Sequence, residues 1–215
     1  MSEYFKKSVN NNQEAEGLLS PFLRNLRFRH VIKELKRRDI RHVLDLGCGA
    51  GHLSGEISNG IHYTGVDLIE FSDTSSPLSN RIAVGTGAII TADIYSKSGF
   101  DLTKKHLAQN PVEVDCITLL AVLEHLKDPS EFVRSISRLL SPGSAIIGTT
   151  PHPRGRSLHD WLAKLGICSA AGAEDHEKFL GYNDLKSMSE ACELDIVSYD
   201  KFLVGLNQLF VLELR

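Results

Sequence analysis

Short apolar runs alternate with amphipathic stretches along most of this chain, the rhythm of strands and helices taken in turn. Over residues 23–38 the apolar Leu23, Leu26, Val31, Ile32 and Leu35 recur at helical spacing, which predicts an amphipathic helix ahead of the first strand. His42–Leu46 and His62–Asp67 read as strands one and two, and residues 88–92 as strand three with Asp93 behind it. The unbroken apolar run over residues 114–120 suits a strand covered on both faces, and residues 145–150 supply the fifth. Between them, a helix over residues 130–140 is started by Asp128-Pro129 and stopped by Ser141-Pro142-Gly143. A last helical pattern covers residues 182–192, and residues 194–199 and 209–214 read as two closing strands.

Three stretches fall outside this rhythm. Residues 1–17 are polar and Asn/Glu-rich and are expected to be loosely ordered, ahead of a helical segment within 18–39. Residues 71–87, rich in Ser, Asn and Gly, read as an irregular loop. Residues 152–180 exceed an ordinary connection, and within them Leu158, Trp161, Leu162 and Leu165 share one helical face. An insertion at that point is expected to form a lid or a substrate wall. The whole reads as one α/β domain over residues 1–215 with a doubly wound sheet.

Composition narrows the setting. The formal net charge is −3, so no global pull toward nucleic acid or membrane is expected. Cys48, Cys116, Cys168 and Cys192 are scattered with no C-x-x-C pair, which suggests free thiols in a reducing cytoplasm. The sequence carries neither a signal-peptide pattern nor a run long enough to span a bilayer. The N-terminal helix is basic, with Arg24, Arg27, Arg29, Lys33, Lys36, Arg37 and Arg38 against the single acid Glu34. Such a face suits an anionic carrier or a peripheral membrane contact, or is simply solvated.

The chemistry concentrates where strand one ends. Asp45-Leu46-Gly47-Cys48-Gly49-Ala50-Gly51 runs from an acid into three glycines on alternate positions, and Asp67 closes strand two about 20 residues after Gly47. Glycines at this turn let backbone approach a ligand, and an acid at the second strand's tip can accept both hydroxyls of a ribose. A dinucleotide site asks for a third glycine where this chain has His52, and a pyrophosphate gains nothing from Asp45 nearby. A ligand bearing a cation fits better.

This string resembles the first motif of class I S-adenosylmethionine-dependent methyltransferases, in particular the ubiquinone-pathway O-methyltransferase and methyltransferase type 11 and 23 group. The order of elements from Ile40 to Arg215 is similar too, and implies that family's seven-stranded sheet with an antiparallel last strand. The resemblance implies a cofactor site in which residues 47–51, with Gly47, Cys48, Gly49 and Gly51, approach the methionine part of S-adenosyl-L-methionine. Asp45 would help hold its ammonium and Asp67 its ribose, with Leu68 against the adenine. Asp93 would take the adenine amino group with Ile94 alongside, and Leu120 and Ala121 would form the other wall. Cys48 reads as a small residue that fits the turn rather than a nucleophile.

A second segment, Leu120-Ala121-Val122-Leu123-Glu124-His125-Leu126, is similar to the E-V-L-E-H-V-type stretch of ubiquinone-pathway O-methyltransferases and small-RNA 2′-O-methyltransferases. In those relatives this stretch and a downstream D-H-x-F-like element can hold a divalent metal. Here Asp175-His176-Glu177-Lys178-Phe179 resembles the downstream element, but Ala121 replaces the first glutamate. Glu124, His125 and His176 would be the ligands of such a metal; without one, the same three residues are the catalytic candidates. His125 is the first choice of general base, His176 the second and His152 the third, with Glu124 orienting the base or capping the next helix.

The resulting expectation is methyl transfer to a small-molecule acceptor, at an oxygen of a sugar, lipid, quinone or secondary metabolite. The alternatives are a metal-assisted RNA 2′-O-methyltransferase and a non-catalytic module that keeps the fold. No aromatic-basic interleaving favours nucleic acid.

Overall fold

A computed structural model describes residues 20–68, 77–109, 112–155 and 179–215. Helix α1 (Ser20–Arg37) precedes β1 (His42–Leu46), α2 (Leu53–Glu56), β2 (His62–Asp67), α3 (Pro77–Ala83) and β3 (Gly87–Thr91). Then follow α4 (Lys97–Leu107), β4 (Cys116–Leu120), a 3₁₀ turn (Leu123–His125), α5 (Pro129–Ser137), β5 (Ala145–Pro151), a second 3₁₀ turn (Pro153–Gly155), α6 (Tyr182–Ala191), β6 (Leu194–Phe202) and β7 (Asn207–Leu214).

The strands form one seven-stranded sheet in the order β3-β2-β1-β4-β5-β7-β6. All are parallel except β7, which runs antiparallel to β5 and to β6. The expected α/β class and seven-stranded arrangement are both present. Period-two alternation gives each central strand two apolar faces, so the sheet carries a core on either side. Phe28, Val31 and Leu35 of α1 pack with Leu53, Leu78, Val43, Ile147 and Val211 on one side. Phe132, Val133 and Ile136 of α5 and Leu185 and Met188 of α6 pack with Leu44, Leu46, Ile117, Ile146 and Phe210 on the other. Strand order reverses between β1 and β4, so the crevice outside their carboxyl ends is the place a ligand enters.

Local signals account for several boundaries. The Asp128 side chain accepts from Glu131 N at 2.9 Å with Pro129 opening α5, as the Asp-Pro signal predicts. Ser96 caps α4 in the same way, accepting from Gly99 N at 3.0 Å.

Three expectations need correction. Residues 71–87 are not irregular throughout: residues 77–83 are the helix α3. Its stability comes from distant groups that composition does not show. Leu78 is fully buried, and the Arg81 guanidinium donates to four carbonyl oxygens, of Ser54, Ile57, Ser58 and Ile61, at 2.6–2.8 Å. The helix over residues 130–140 ends at Ser137, and β4 starts at Cys116 rather than at residue 114. The lid helix around Trp161 and the element holding His176 lie outside the described residues, as do residues 1–17.

Of the basic residues on α1, Arg29, Lys33, Lys36 and Arg37 are exposed, and Arg37 also donates to Glu34 at 3.0 Å. Arg27 instead turns inward.

Candidate active site

The chain leaves β1 through the glycine turn. Gly47 N–H donates to Val66 O at 2.8 Å, tying the turn to β2. Gly47 and Gly51 have φ of +75° and +68°, and a methyl on them would lie 2.8 Å from Val122 Cγ2 and 2.5 Å from Leu78 Cδ2. Both sites therefore require glycine for backbone and for space. At Gly49, φ +53°, a Cβ would meet nothing within 4 Å, so that side of the turn faces open space. Its N–H donates to Asp67 Oδ2 at 2.7 Å, which holds the acid at the tip of β2 over the turn. Leu68 beside it is half-buried.

Asp45 is 3% exposed, and both its oxygens are engaged. Tyr63 Oη donates to Oδ2 and Thr118 Oγ1 to Oδ1, each at 2.7 Å. Burial pushes its pKa up to about 6 against the downward pull of the two hydroxyls, with Asp67 adding a smaller upward push. The Cys48 side chain packs over Gly65, where a Cβ would come within 2.7 Å of its sulfur. Burial and the Asp45 and Asp67 carboxylates push that thiol well up, so it is no nucleophile.

Asp93 follows β3 with its Oδ1 accepting Tyr95 N–H at 3.0 Å, and Ile94 beside it is buried. Gly99 of α4 backs so closely onto the Asp93 carbonyl that a Cβ there would lie 2.0 Å from it. Leu120 and Ala121 stand at the end of β4, half-buried. Ala121 has φ of +59°, and its N–H donates to Thr149 O at 2.9 Å. This left-handed residue turns the chain from β4 into the 3₁₀ turn.

Glu124 and His125 diverge from that turn. Glu124 is 1% exposed, and among the described residues neither carboxylate oxygen has a close hydrogen bond, its polar neighbours being the Thr150 hydroxyl and the Arg27 guanidinium. Burial raises its pKa, while His125, Arg27 and Thr150 act in the other direction. The Thr150 hydroxyl and Arg27 Nε are likewise buried and make no close hydrogen bond among the described residues. Glu124, Arg27 and Thr150 thus form one loosely joined group of a carboxylate, a guanidinium and a hydroxyl at the carboxyl edge of the sheet. His125 is exposed and lies at a cavity of about 670 Å³ between α4 and α5, floored by Ile94, Phe100, Leu126 and Phe132.

His152 is a lesser candidate for base. Its N–H donates to Leu206 O at 2.9 Å, and its Nδ1 accepts Arg154 N–H at 3.1 Å. Burial, Lys201 and Arg154 lower its pKa, so it is a neutral residue fastening the β6–β7 hairpin to β5. His176 lies outside the described residues. Reasoning from sequence missed Tyr63, Thr118, Arg27 and Thr150. Thr118 had a signal, because it sits opposite Asp45 in the β1–β4 register, but that register is visible only after folding.

Comparison with known proteins gives the family and the fold. The family described as methyltransferase domain matches residues 19–199. The ubiquinone biosynthesis O-methyltransferase of Idiomarina loihiensis is 30% identical over 181 residues, which cover 80% of this chain and 69% of that one. Its namesake from Vibrio parahaemolyticus is 27% identical over 199 residues, 88% of this chain and 80% of that one. The crystal structure of small RNA methyltransferase HEN1 superposes with a TM-score of 0.67 at 15% identity. It covers 90% of this chain, which spans 26% of that one. Magnesium protoporphyrin IX methyltransferase from Synechocystis PCC 6803, solved with bound SAH, gives 0.60 at 16% identity, over 87% of this chain and 81% of that one. At such identities the two structures show a shared fold.

Proposed function

The chain belongs to the methyltransferase-domain family, and from that premise we propose that it methylates an oxygen of a small-molecule acceptor, with Glu124 receiving the acceptor's proton. The site fits S-adenosylmethionine: the turn offers open space at Gly49, an acid stands over it at Asp67, and a buried carboxylate lies beneath at Asp45. The cofactor, when bound, supplies an electrophilic methyl on a sulfonium. In this reading Asp45 and residues 47–51 hold its methionine part, Asp67 and Leu68 its ribose and adenine edge, and Asp93, Ile94, Leu120 and Ala121 the rest of the adenine wall.

The observation that carries the oxygen assignment is the Glu124 carboxylate, buried at the carboxyl end of β4 with no close hydrogen bond to either oxygen among the described residues. A hydroxyl acceptor would donate to it in the ground state and pass it the proton as the oxygen's lone pair forms the new bond to carbon. Burial raises its pKa, which makes the carboxylate a stronger proton acceptor. In-line displacement needs alignment more than covalent chemistry, and Arg27 and Thr150 are placed to orient the acceptor. His125 at the cavity mouth steadies the Glu124 charge. The ubiquinone pathway of the two relatives makes a phenolic or quinol-type acceptor the first to try.

A metal is the second reading, favoured by the same loosely held carboxylate and opposed by Ala121. Glu124 and His125 would need His176 as third ligand; among the described residues no cluster of three such groups forms. Transfer of labelled methyl from S-adenosylmethionine into fractionated cell extract, with and without a chelator, separates the two. Chelator-insensitive label in small molecules is the expected result. Chelator-sensitive label in RNA would overturn it. No described helix is long and apolar enough to cross a membrane.

A further inference from the structure

Asp45 is anomalous among carboxylates that bind cations. It is almost wholly buried at the end of β1, and the groups acting on it include no cation. The titratable side chains facing it are Tyr63 and Asp67 from β2, Cys48 from the glycine turn and Cys116 from β4, all acids or thiols. A carboxylate so placed drifts toward its neutral form, and a neutral acid does not attract an ammonium.

Two hydroxyls oppose that drift. Thr118 lies directly across from Asp45 in the β1–β4 register and donates to one oxygen. Tyr63 lies on the same face of β2, two residues before Gly65, which pairs with Asp45, and it donates to the other. Both donors sit on strands, so their positions do not depend on a mobile loop. Each carboxylate oxygen keeps a further lone pair, so a cation or a bridging water can still be accepted.

We infer that Tyr63 and Thr118 are positioning residues for the cofactor: they fix the Asp45 rotamer and hold its carboxylate charged until an ammonium arrives. The missing cation of this buried site is then the ligand's own. The inference rests on the reading that Asp45 meets that ammonium.

Calorimetric titration of S-adenosylmethionine tests it, run from about pH 5 to 7, where an α-amino group stays mostly protonated. Wild type, Tyr63→Phe, Thr118→Val, Thr118→Ser and Asp45→Asn are compared. Wild-type affinity falls through about pH 6, where Asp45 protonates. Tyr63→Phe and Thr118→Val each move that midpoint upward, by about one pH unit and hence about tenfold in affinity within the window. Thr118→Ser, which keeps the hydroxyl, behaves as wild type. A structural role alone would weaken binding equally at every pH. An unmoved midpoint in both hydroxyl-deleting variants overturns the inference, as does a wild-type affinity flat across the range. If Tyr63→Phe fails to fold, Thr118→Val decides. Asp45→Asn binding as tightly as wild type throughout would instead sink the reading that Asp45 holds the ammonium.

Discussion

Two buried carboxylates stand at the carboxyl ends of neighbouring central strands, and the protein treats them in opposite ways. Asp45 at the end of β1 has each oxygen taken by a hydroxyl from an adjacent strand. Glu124, just beyond β4, is as deeply buried but among the described residues has no close hydrogen bond to either oxygen, with the Thr150 hydroxyl and Arg27 guanidinium nearby. Desolvation raises both pKa values, so the difference lies in their partners rather than in depth. A satisfied carboxylate is preorganised: its orientation is set before any ligand arrives. A loosely held one is costly in the empty protein and gains close partners from what binds. On the function proposed above, the first serves a constant ligand, the cofactor, and the second the reacting acceptor.

The largest expected effect separates the two roles. Glu124→Gln keeps shape and removes the proton acceptor, so turnover falls by about 10²-fold or more, the usual range for losing a general base. Cofactor affinity stays unchanged. Radiometric methyl transfer beside calorimetric cofactor binding reads both quantities, and a parallel loss in the two would erase the distinction between the sites.

Arg81 provides the counterpart among cations: 4% exposed, and satisfied by four carbonyl oxygens. It fastens α3, whose Leu78 underlies Gly51, to α2 and the turns that follow it. Arg81→Met strands those carbonyls, and the expected loss is about 3 kcal/mol in urea unfolding, with weakened cofactor binding as the glycine turn loosens. A loss below about 1 kcal/mol would mean that water replaces the guanidinium.

Asp45→Asn is expected to be smaller and of opposite sign in stability. A carboxyl whose folded pKa is raised from 3.8 to about 6 opposes folding above that value, and the penalty lifts as pH falls through 6 toward 4. Removing the charge therefore stabilises the ligand-free protein at neutral pH by about 2–3 kcal/mol, and by almost nothing near pH 4. Thermal melts across this range check the sign, while cofactor affinity drops. A destabilised Asp45→Asn at neutral pH would show that the two hydroxyls more than offset burial.

How far these roles could be read beforehand follows from the range of the interactions. The glycine turn, Asp45 and Asp67 are local in sequence or lie one crossover apart, so spacing alone located them, and β1 and β2 fall at their expected limits. Glu124 and His125 were found as a motif, but their divergence was not, because it depends on the turn that Ala121 makes after β4. Tyr63, Thr118 and Arg27 reach the site only through strand register and the packing of α1, and no periodicity encodes those contacts. Helix α3 was hidden for the same reason: its anchor is Arg81 reaching across to another segment, while its own composition resembles a loop.

The mildest test concerns how the chain leaves the two strands. After β1 it turns through Gly47 at φ +75°, and after β4 through Ala121 at φ +59°. The first position excludes a side chain, since a methyl would sit 2.8 Å from Val122. The second holds one and bears the left-handed cost of about 1 kcal/mol. Ala121→Gly relieves that cost but adds unfolded-state entropy of about 0.4–1 kcal/mol, so the net change is expected within about 0.5 kcal/mol of zero. Ala121→Val, branched at a positive φ, costs more, and Gly47→Ala costs the most of the three because strain and collision add. If Ala121→Gly instead loses more than about 1 kcal/mol in chemical denaturation, the Ala121 methyl is packed rather than tolerated. The chain beyond β4 would then be as tightly specified as the glycine turn, and the openness of the Glu124 end would belong to its loosely held carboxylate alone.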